Sequence, residues 1–429
     1  MSIYKYEQAF GAWDKTSGAM RRAIDRWFAM YYDGEAGETA DPCQRIPYTV
    51  VNKLVSAVFG EYKATANTAF GEKLMHHLDD KKRIALQLAL IGGACYIKPC
   101  PNKEAFSFAL VPRNRMLIFG RDGAGRPTDI GLVERSVEGN YYYTLLERRT
   151  VDGDGYLTIS NRLYRSRDSQ NLGAEVPLKN VSAYRDLAES YCFPKPIGSV
   201  GLVGMKLPIL NCVDGSYDGV SVYAAAEGLI RNINCNEAQM NGEFARGESR
   251  IIASKDLLDG DLGLKSHLFV GLDEDPDRVG ITVFSPQLRE QSYLARKQEY
   301  LRNIESIIGL KRGMLSDSNM QDRTATEITA SAAEYSLTVM DFQLMWQKAA
   351  EETLELCKML AELYDFAETD PGQIGIDWGN GTLYDQEKTW ADYMEMVDKG
   401  MLKPEVALAW RFGLAGEAEQ AIREKLMPN

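Results

Sequence analysis

From Arg323 to Tyr364 the chain reads RTATEITASAAEYSLTVMDFQLMWQKAAEETLELCKMLAELY, without a glycine or a proline. Nothing in this stretch breaks a helix, and at 1.5 Å per residue the helix would span roughly 60 Å. An average globular helix has only about 11–12 residues, so few architectures can house this one. Its apolar positions narrow the choice further. Ile328, Ala332, Tyr335, Val339, Phe342, Trp346, Ala349, Thr353, Leu356, Leu360 and Leu363 alternate spacings of four and three. That is the seam one helix lays against another surface. Leu337, Met340, Leu344 and Met345 lie partly off this seam, which predicts that more than one side of the helix is covered. Thr324 and Glu327 have the spacing of a capping box. Taken alone, the pattern fits a long core helix or one arm of a coiled-coil dimer.

The rest of the chain decides between them. With 429 residues, 45% hydrophobic and 26% charged, it has the length for several domains and the composition of a protein that buries a core. No apolar run approaches the length of a transmembrane helix; the richest candidate, Ile84 to Ile97, is short and contains Gly92-Gly93. The opening MSIYKYEQAFGAWDK has no apolar core, so no signal peptide is expected. Cysteines at 43, 95, 100, 192, 212, 235 and 357 form no CxxC pair, an odd, scattered set that fits reduced thiols rather than a disulfide framework.

The net charge of −12 is unevenly spread. Residues 324–429 carry 20 acids and 8 bases, whereas residues 1–323 carry 41 of each. The excess therefore lies in the long helix and the C-terminal segment after it. A tight nucleic-acid binder needs clustered Lys and Arg instead, and most of these acids read as a solvated surface.

No catalytic constellation stands out. The three histidines, His76, His77 and His267, form no metal-ligand spacing, and no Walker A, GxGxxG or GxSxG sequence occurs. Asp152-Gly153-Asp154-Gly155 reads as a hairpin turn rather than a calcium loop. The cluster Asp273, Glu274, Asp275 and Asp277 could hold a divalent cation, but an exposed turn around Pro276 is the simpler reading. No enzyme activity, metal or cofactor is expected.

Residues 1–35 read as helix, anchored by Trp13, Met20, Ile24, Trp27 and Phe28, and Gly34 to Pro42 as a loop. Pro47–Phe59 and Lys81–Gly92 read as amphipathic helices. The period then shortens to two. Ala94–Pro99, Phe106–Pro112, Met116–Phe119, Ile130–Glu134, Tyr141–Arg149 and Tyr156–Tyr164 read as strands, within a β-rich insert at about 94–185. A loop region rich in Gly, Pro and Ser runs from Tyr191 to Gly219. Two helices come next. The first, Ser221–Ala245, has apolar positions at Val222, Ala226, Leu229, Ile230, Ile233, Met240 and Phe244, with asparagine on its other faces. The second starts at Ser285-Pro286, a cap and first-turn proline, and runs through Leu294, Leu301 and Ile304 to Ile308. Between them lie two strand-like pieces, Arg250–Ala253 and Gly280–Phe284, and a short apolar stretch at Leu268–Val270. GLKRGMLS breaks the chain at 309–316 before the long helix. After it come a Gly-rich turn at 375–381, a helix from Tyr384 to Lys399 and two short helices.

This order of parts resembles the portal proteins of tailed bacteriophages, of the kind found in long-tailed phages and prophages. ALQLALIGGACYIKP resembles the family's helix, Gly-Gly, strand segment, and YYYTLLERRTVDGDGYLTISNRLYRS its central hairpin, followed by NLGAEVPL. YDGVSVYAAAEGLIRNINCNEAQMNGEF resembles the first stem helix. IESIIGLKRGMLSDSNMQDRTATEI, with its TATE run from Thr324 to Glu327, resembles the junction into the long spine helix. The likeness spans roughly residues 15–365; it rests on the combined order, since no single motif is specific.

The resemblance implies an α+β portal fold: an N-terminal wing at 1–219, a first stem helix at 220–246, a small α/β clip at 247–286, a second stem helix at 287–309, a tunnel loop at 310–323, a wing spine helix at 324–366 and a short helical crown at 367–429. It implies a ring of copies, usually twelve, at one capsid vertex of a virion assembled in the host cytoplasm. Double-stranded DNA would pass through without sequence specificity, and the large terminase, the head–tail adaptor, the major capsid protein and scaffolding protein would be partners, with no membrane. In that frame Lys311, Arg312 and Arg323 are the candidates to touch DNA, although pairing with Asp317 and Asp322 is the plain alternative. Asp273, Glu274 and Asp275 are the candidates to meet a basic partner at the clip. Another self-assembling virion component, such as a minor capsid or baseplate protein, a carboxylate-based hydrolase and a scaffold dimer are the rival readings.

Overall fold

The computed structural model describes the chain except for residues 1–2, 33–39, 43, 103–104, 248–249, 255–268, 273–280, 285–288, 318–324, 380–385 and 413–429. The Thr324 cap, Arg323, the acidic cluster at 273–277 and Ser285-Pro286 therefore lie outside the described residues.

The N-terminal helix breaks in two, α1 (Ile3–Phe10) and α2 (Gly18–Tyr32). The break is at Gly11, whose φ of +64° suits glycine. Past it, Asp14 accepts the backbone N–H of Ile118 at 3.0 Å and pairs with Arg21. Met20, Ile24, Trp27 and Phe28 are buried as expected, but Trp13 sits on the connection and is 70% exposed.

Helix α3 (Ile46–Val58) carries a proline in its first turn, where the missing N–H costs nothing. Strand β1 (Lys63–Ala66) and helix α4 (Ala69–Asp79) are additions to the sequence reading. Thr68 caps α4 by accepting the N–H of Gly71 at 3.0 Å. Helix α5 (Lys82–Gly92) ends on Gly93 at φ +83°. A Cβ on Gly93 would lie 2.3 Å from the carbonyl carbon of Gly219, so the two backbones meet where only glycine fits.

The strand region builds two sheets. Strands β2 (Ala94–Asn102) and β3 (Ala105–Pro112) form a hairpin, and β10 (Val203–Lys206) adds to the other edge of β2. The supposed loop at 191–219 thus contains a strand, which pairs Met205 with Cys95. The larger sheet runs in order β4 (Met116–Arg121), β5 (Pro127–Glu138), β6 (Tyr141–Val151), β7 (Leu157–Ser166) and β8 (Ala174–Val176), with β9 (Ser190–Cys192) also on β7. DGDG is the β6–β7 turn: Asp152 accepts from the N–H groups of Asp154 and Tyr156 at 3.0 and 2.8 Å, and Gly155 takes φ +87°. Helix α1 lies on this sheet, with Phe10 and Phe119 rings 5.3 Å apart. A buried triad ties the two sheets: Glu147 on β6 binds Lys98 of β2 and Arg149, each at 2.5 Å.

The long helix is present as α8 (Ala325–Leu363) after helices α6 (Glu227–Arg246) and α7 (Glu290–Ile308). The predicted seam is buried at Tyr335, Val339, Phe342, Trp346, Ala349, Thr353, Leu356 and Leu360, within the main core against α3, β2 and β10. Ile328 and Ala332 fall in the first turns, where only backbone is described. The second side is covered only in part: Met345 packs half-buried against the core, but Leu337, Met340 and Leu344 are 63, 50 and 60% exposed. Beyond α8, part of the expected Gly-rich turn is strand β14 (Ile374–Asp377), antiparallel to β1. Trp378 follows it into an aromatic cluster with Phe59 and Tyr62, and Phe59 in turn meets Trp346 of α8. Helices α9 (Gln386–Asp398) and α10 (Pro404–Phe412) close the described chain. Among the described residues no helix is long and apolar enough to cross a membrane.

Candidate functional site

Helices α6 and α7 pair antiparallel. Asn236 donates to the carbonyl of Tyr293 at 3.1 Å, Lys297 meets Glu237 at 3.1 Å and Arg289 meets Glu243 at 3.1 Å, so residue numbers rise on one helix as they fall on the other. The seam changes character along its length. Near the core it is apolar, with Ile230, Ile233, Leu301, Ile304 and Ile308 buried. Farther out it is polar, and Asn234 and Asn236, read as outer-face residues from the sequence, are buried instead. Phe244 and Leu294, expected inward, are each 42% exposed. Helix α7 is described from Glu290; the Ser285-Pro286 start predicted for it lies outside the described residues.

At their far ends the two helices join a three-stranded sheet, β11 (Arg250–Ser254), β12 (Phe269–Leu272) and β13 (Ile281–Phe284), of which the backbone alone is described. Strand β11 is central, parallel to β12 and antiparallel to β13. Asp273, Glu274 and Asp275 lie outside the described residues.

Charge on the helix pair is nearly balanced: six acids against five bases. Three of the bases are matched within the pair itself, as Arg231 with Glu227 at 3.4 Å, Lys297 with Glu237 at 3.1 Å and Arg302 with Glu299 at 3.6 Å. Arg296 donates to the Tyr300 hydroxyl at 2.9 Å.

The other end of α7 closes on a built loop. Gly309 ends the helix at φ +75°, against Thr338 of α8. Glu305, fully buried, then gathers the next residues. Its Oε1 accepts the N–H groups of Gly313 at 3.1 Å, Leu315 at 2.5 Å and Ser316 at 2.9 Å, and its Oε2 accepts the Ser316 hydroxyl at 2.8 Å. A buried carboxylate is tolerable because charge-assisted hydrogen bonds replace its water. Leu310 is buried and Met314 N–H bonds to the Lys311 carbonyl at 3.1 Å. Lys311 and Arg312 are therefore brought together, exposed, on a turn fixed from below. Arg323, the third predicted cation, lies outside the described residues. Glu305 is the residue that the sequence reading missed. Its signal was a lone acid in the apolar row Leu301, Ile304, Ile308, just before a glycine stop.

Among the described residues no group of His, Cys, Asp and Glu could hold a metal ion. Burial pushes the Cys95 thiol up to about 12 and raises Cys357 further, which disfavours the reactive thiolate. The Asp14–Arg21 and Arg113–Asp218–Arg121 networks hold the N-terminal segment and the 211–218 loop to the sheet.

A model of the family described as phage portal protein, SPP1 Gp6-like, matches residues 48–427. No curated protein matches the chain. Among solved structures, one described as "Neck of native GTA particle computed with C12 symmetry" aligns over 99% of this chain and 98% of its own, at 12% identity and TM-score 0.47. Another, "Neck of empty GTA particle computed with C6 symmetry", aligns over 99% of both chains at 14% identity and TM-score 0.47.

Proposed function

The chain belongs to the SPP1 Gp6-like family of phage portal proteins, and from that membership we propose that it is one subunit of a portal ring at a capsid vertex. The family is structural, not enzymatic. Double-stranded DNA passes through the ring during packaging and ejection. The large terminase docks first and the head–tail adaptor afterwards, with capsid and scaffolding proteins around the ring. In this reading α6 and α7 form the stem, β11–β13 with their connections the clip, α8 the wing spine, and residues after 366 a short crown. The tunnel loop starts at the Glu305-held turn.

The observation that carries this reading is the family match across almost the whole chain. The helix pair supports it physically. A conduit must not hold its cargo, because each Lys or Arg on a phosphate adds salt-dependent affinity. A wall whose bases are largely matched by its own acids offers few such contacts. Lys311 and Arg312 are the exposed cations placed to make brief ones.

Negative-stain electron microscopy of the purified protein, with native mass on the same sample, tests the proposal. Rings with a hole wide enough for a duplex are expected. A stable dimer with no ring in any condition sinks the proposal and returns α8 to a coiled-coil role.

A further inference from the structure

The uncovered row on α8 is a bounded surface. Leu337, Met340 and Leu344 follow spacings of three and four on the side away from the core seam, and all are exposed. From about one turn past Leu344, the same face carries Lys348, Glu351, Glu352 and Glu355, all exposed. One face of one helix thus passes from apolar to charged, so whatever covers the first part stops before the second.

The row is not isolated. Beside it runs a groove of about 200 Å³ between α8, the end of α7 and residues 208–212, lined in part by Leu210, Ile307, Thr338 and Asp341. Leu210 is 92% exposed and Ile307 48%. The loop that carries Leu210 is held in place: Asn211 Oδ1 accepts the N–H groups of Val213 at 2.8 Å and Asp214 at 3.1 Å. Leu210 is thus presented from a braced loop.

Together Leu210, Ile307, Leu337, Met340 and Leu344 expose roughly 500 Å² of apolar surface, the upper range for one patch on a monomer. A standard stable interface takes about 800 Å² from each partner, so this patch supplies more than half of one.

We propose that the patch is a seam of the ring, covered by a second copy of this chain. The inference rests on the portal-ring reading and adds the surface that closes it. A surface this apolar, with Asp341 as the carboxylate in its groove, suits a permanent contact, since obligate interfaces are the more hydrophobic ones. In a closed cyclic ring each subunit offers two different faces, and one patch is repeated at every seam. The patch spans the junction of α7 with α8, where the stem meets the spine. A neighbour related by rotation about the channel would run alongside both at once.

The test is the double variant Leu337→Glu with Leu344→Glu in the full chain, compared by native mass and electron microscopy with the unmodified protein. Both side chains are exposed in the subunit, so its circular dichroism and melting temperature should stay unchanged. The expected result is rings for the unmodified protein and monomers for the variant at the same concentration. Leu337→Met with Leu344→Met should retain rings, as should Glu351→Lys with Glu355→Lys on the charged half. Rings formed equally well by the glutamate variant overturn the seam, leave the portal reading standing and assign the patch to another virion partner. An unmodified protein that forms no ring overturns the portal reading and the seam together.

Discussion

Removing the Glu305 carboxylate should release the turn that carries Lys311 and Arg312. In Glu305→Ala the N–H groups of Gly313, Leu315 and Ser316 lose their acceptor, and Ser316 is itself buried. A hydrogen bond to a charged group contributes about 1.5–3 kcal/mol, and a buried donor left without a partner costs about 1–3 kcal/mol. Three backbone donors and a hydroxyl would sum higher, but a loop can shift and admit water. A loss of about 3–5 kcal/mol is therefore expected, at the upper end for a single substitution. Glu305→Gln keeps the side-chain length and one carbonyl acceptor for the three amides. The Ser316 hydroxyl can turn and accept from the new NH₂, so the loss should be about 1–2 kcal/mol. Amide hydrogen exchange separates local from global effects. Exchange at residues 313, 315 and 316 should accelerate strongly in the alanine variant and mildly in the glutamine variant, while amides in β5–β7 stay protected. Wild-type exchange at those three amides in Glu305→Ala would refute the reasoning, because the carboxylate would then not be holding the turn.

Three further outcomes are expected. Burial opposes a charge on Glu147, but Arg149 and Lys98 hold its carboxyl down at about 2, against an ordinary value of 4.5. Its folded pKa is the lower one, so this stabilisation is complete above 4.5 and fades as pH falls from there towards 2; urea unfolding at pH 6 and pH 3 should show that loss, and Glu147→Gln should flatten it. Gly93→Ala sets a methyl against the Gly219 backbone at a positive φ and should cost about 3 kcal/mol; a denaturation midpoint equal to wild type counts against the close approach. Replacing Lys311 and Arg312 with alanine in assembled rings should flatten the salt dependence of duplex binding, by about 0.9 in log–log slope for each phosphate no longer neutralised, and an unchanged slope removes both residues from the DNA path.

The features legible in the sequence were those set by local rules. The α8 seam was readable because its described residues from Tyr335 onward meet the core through one repeat, and the β4–β5 and β6–β7 hairpins because alternation and Asp-Gly turns are short-range signals. What stayed hidden depends on distant partners. Residues 374–377 look like turn material around Gly375, yet they pair with β1, some 310 residues earlier in the chain. Asn234 and Asn236 read as solvent-facing because asparagine usually is, but both are buried, and the Tyr293 carbonyl on α7 gives Asn236 a polar partner inside. Trp13 reads as a core anchor, but the break at Gly11 lifts it out of register with α2. Leu337, Met340 and Leu344 are apolar for a reason the single chain does not contain, and the seam proposed above supplies one.

The predicted cations are best judged as a set. In a ring of about twelve, Lys311 and Arg312 would present roughly two dozen bases to one duplex. Six to ten phosphate contacts already make affinity fall about 10³–10⁵-fold between 50 and 200 mM salt. Two dozen engaged together would clamp the DNA, which defeats a conduit. The proposed ring can work only if few engage at once. A duplex advances and rotates by its own helical repeat, which a closed ring of identical turns does not match, so phosphates come into register with a minority of subunits at any position. A turn fixed by Glu305 would enforce this in the proposed ring, because Lys311 and Arg312 on it would be unable to follow a phosphate far once it had moved on. Loosening the turn with Glu305→Gln should therefore increase duplex retention by assembled rings at low salt. If retention falls instead, the turn works by reaching for DNA rather than by letting it pass.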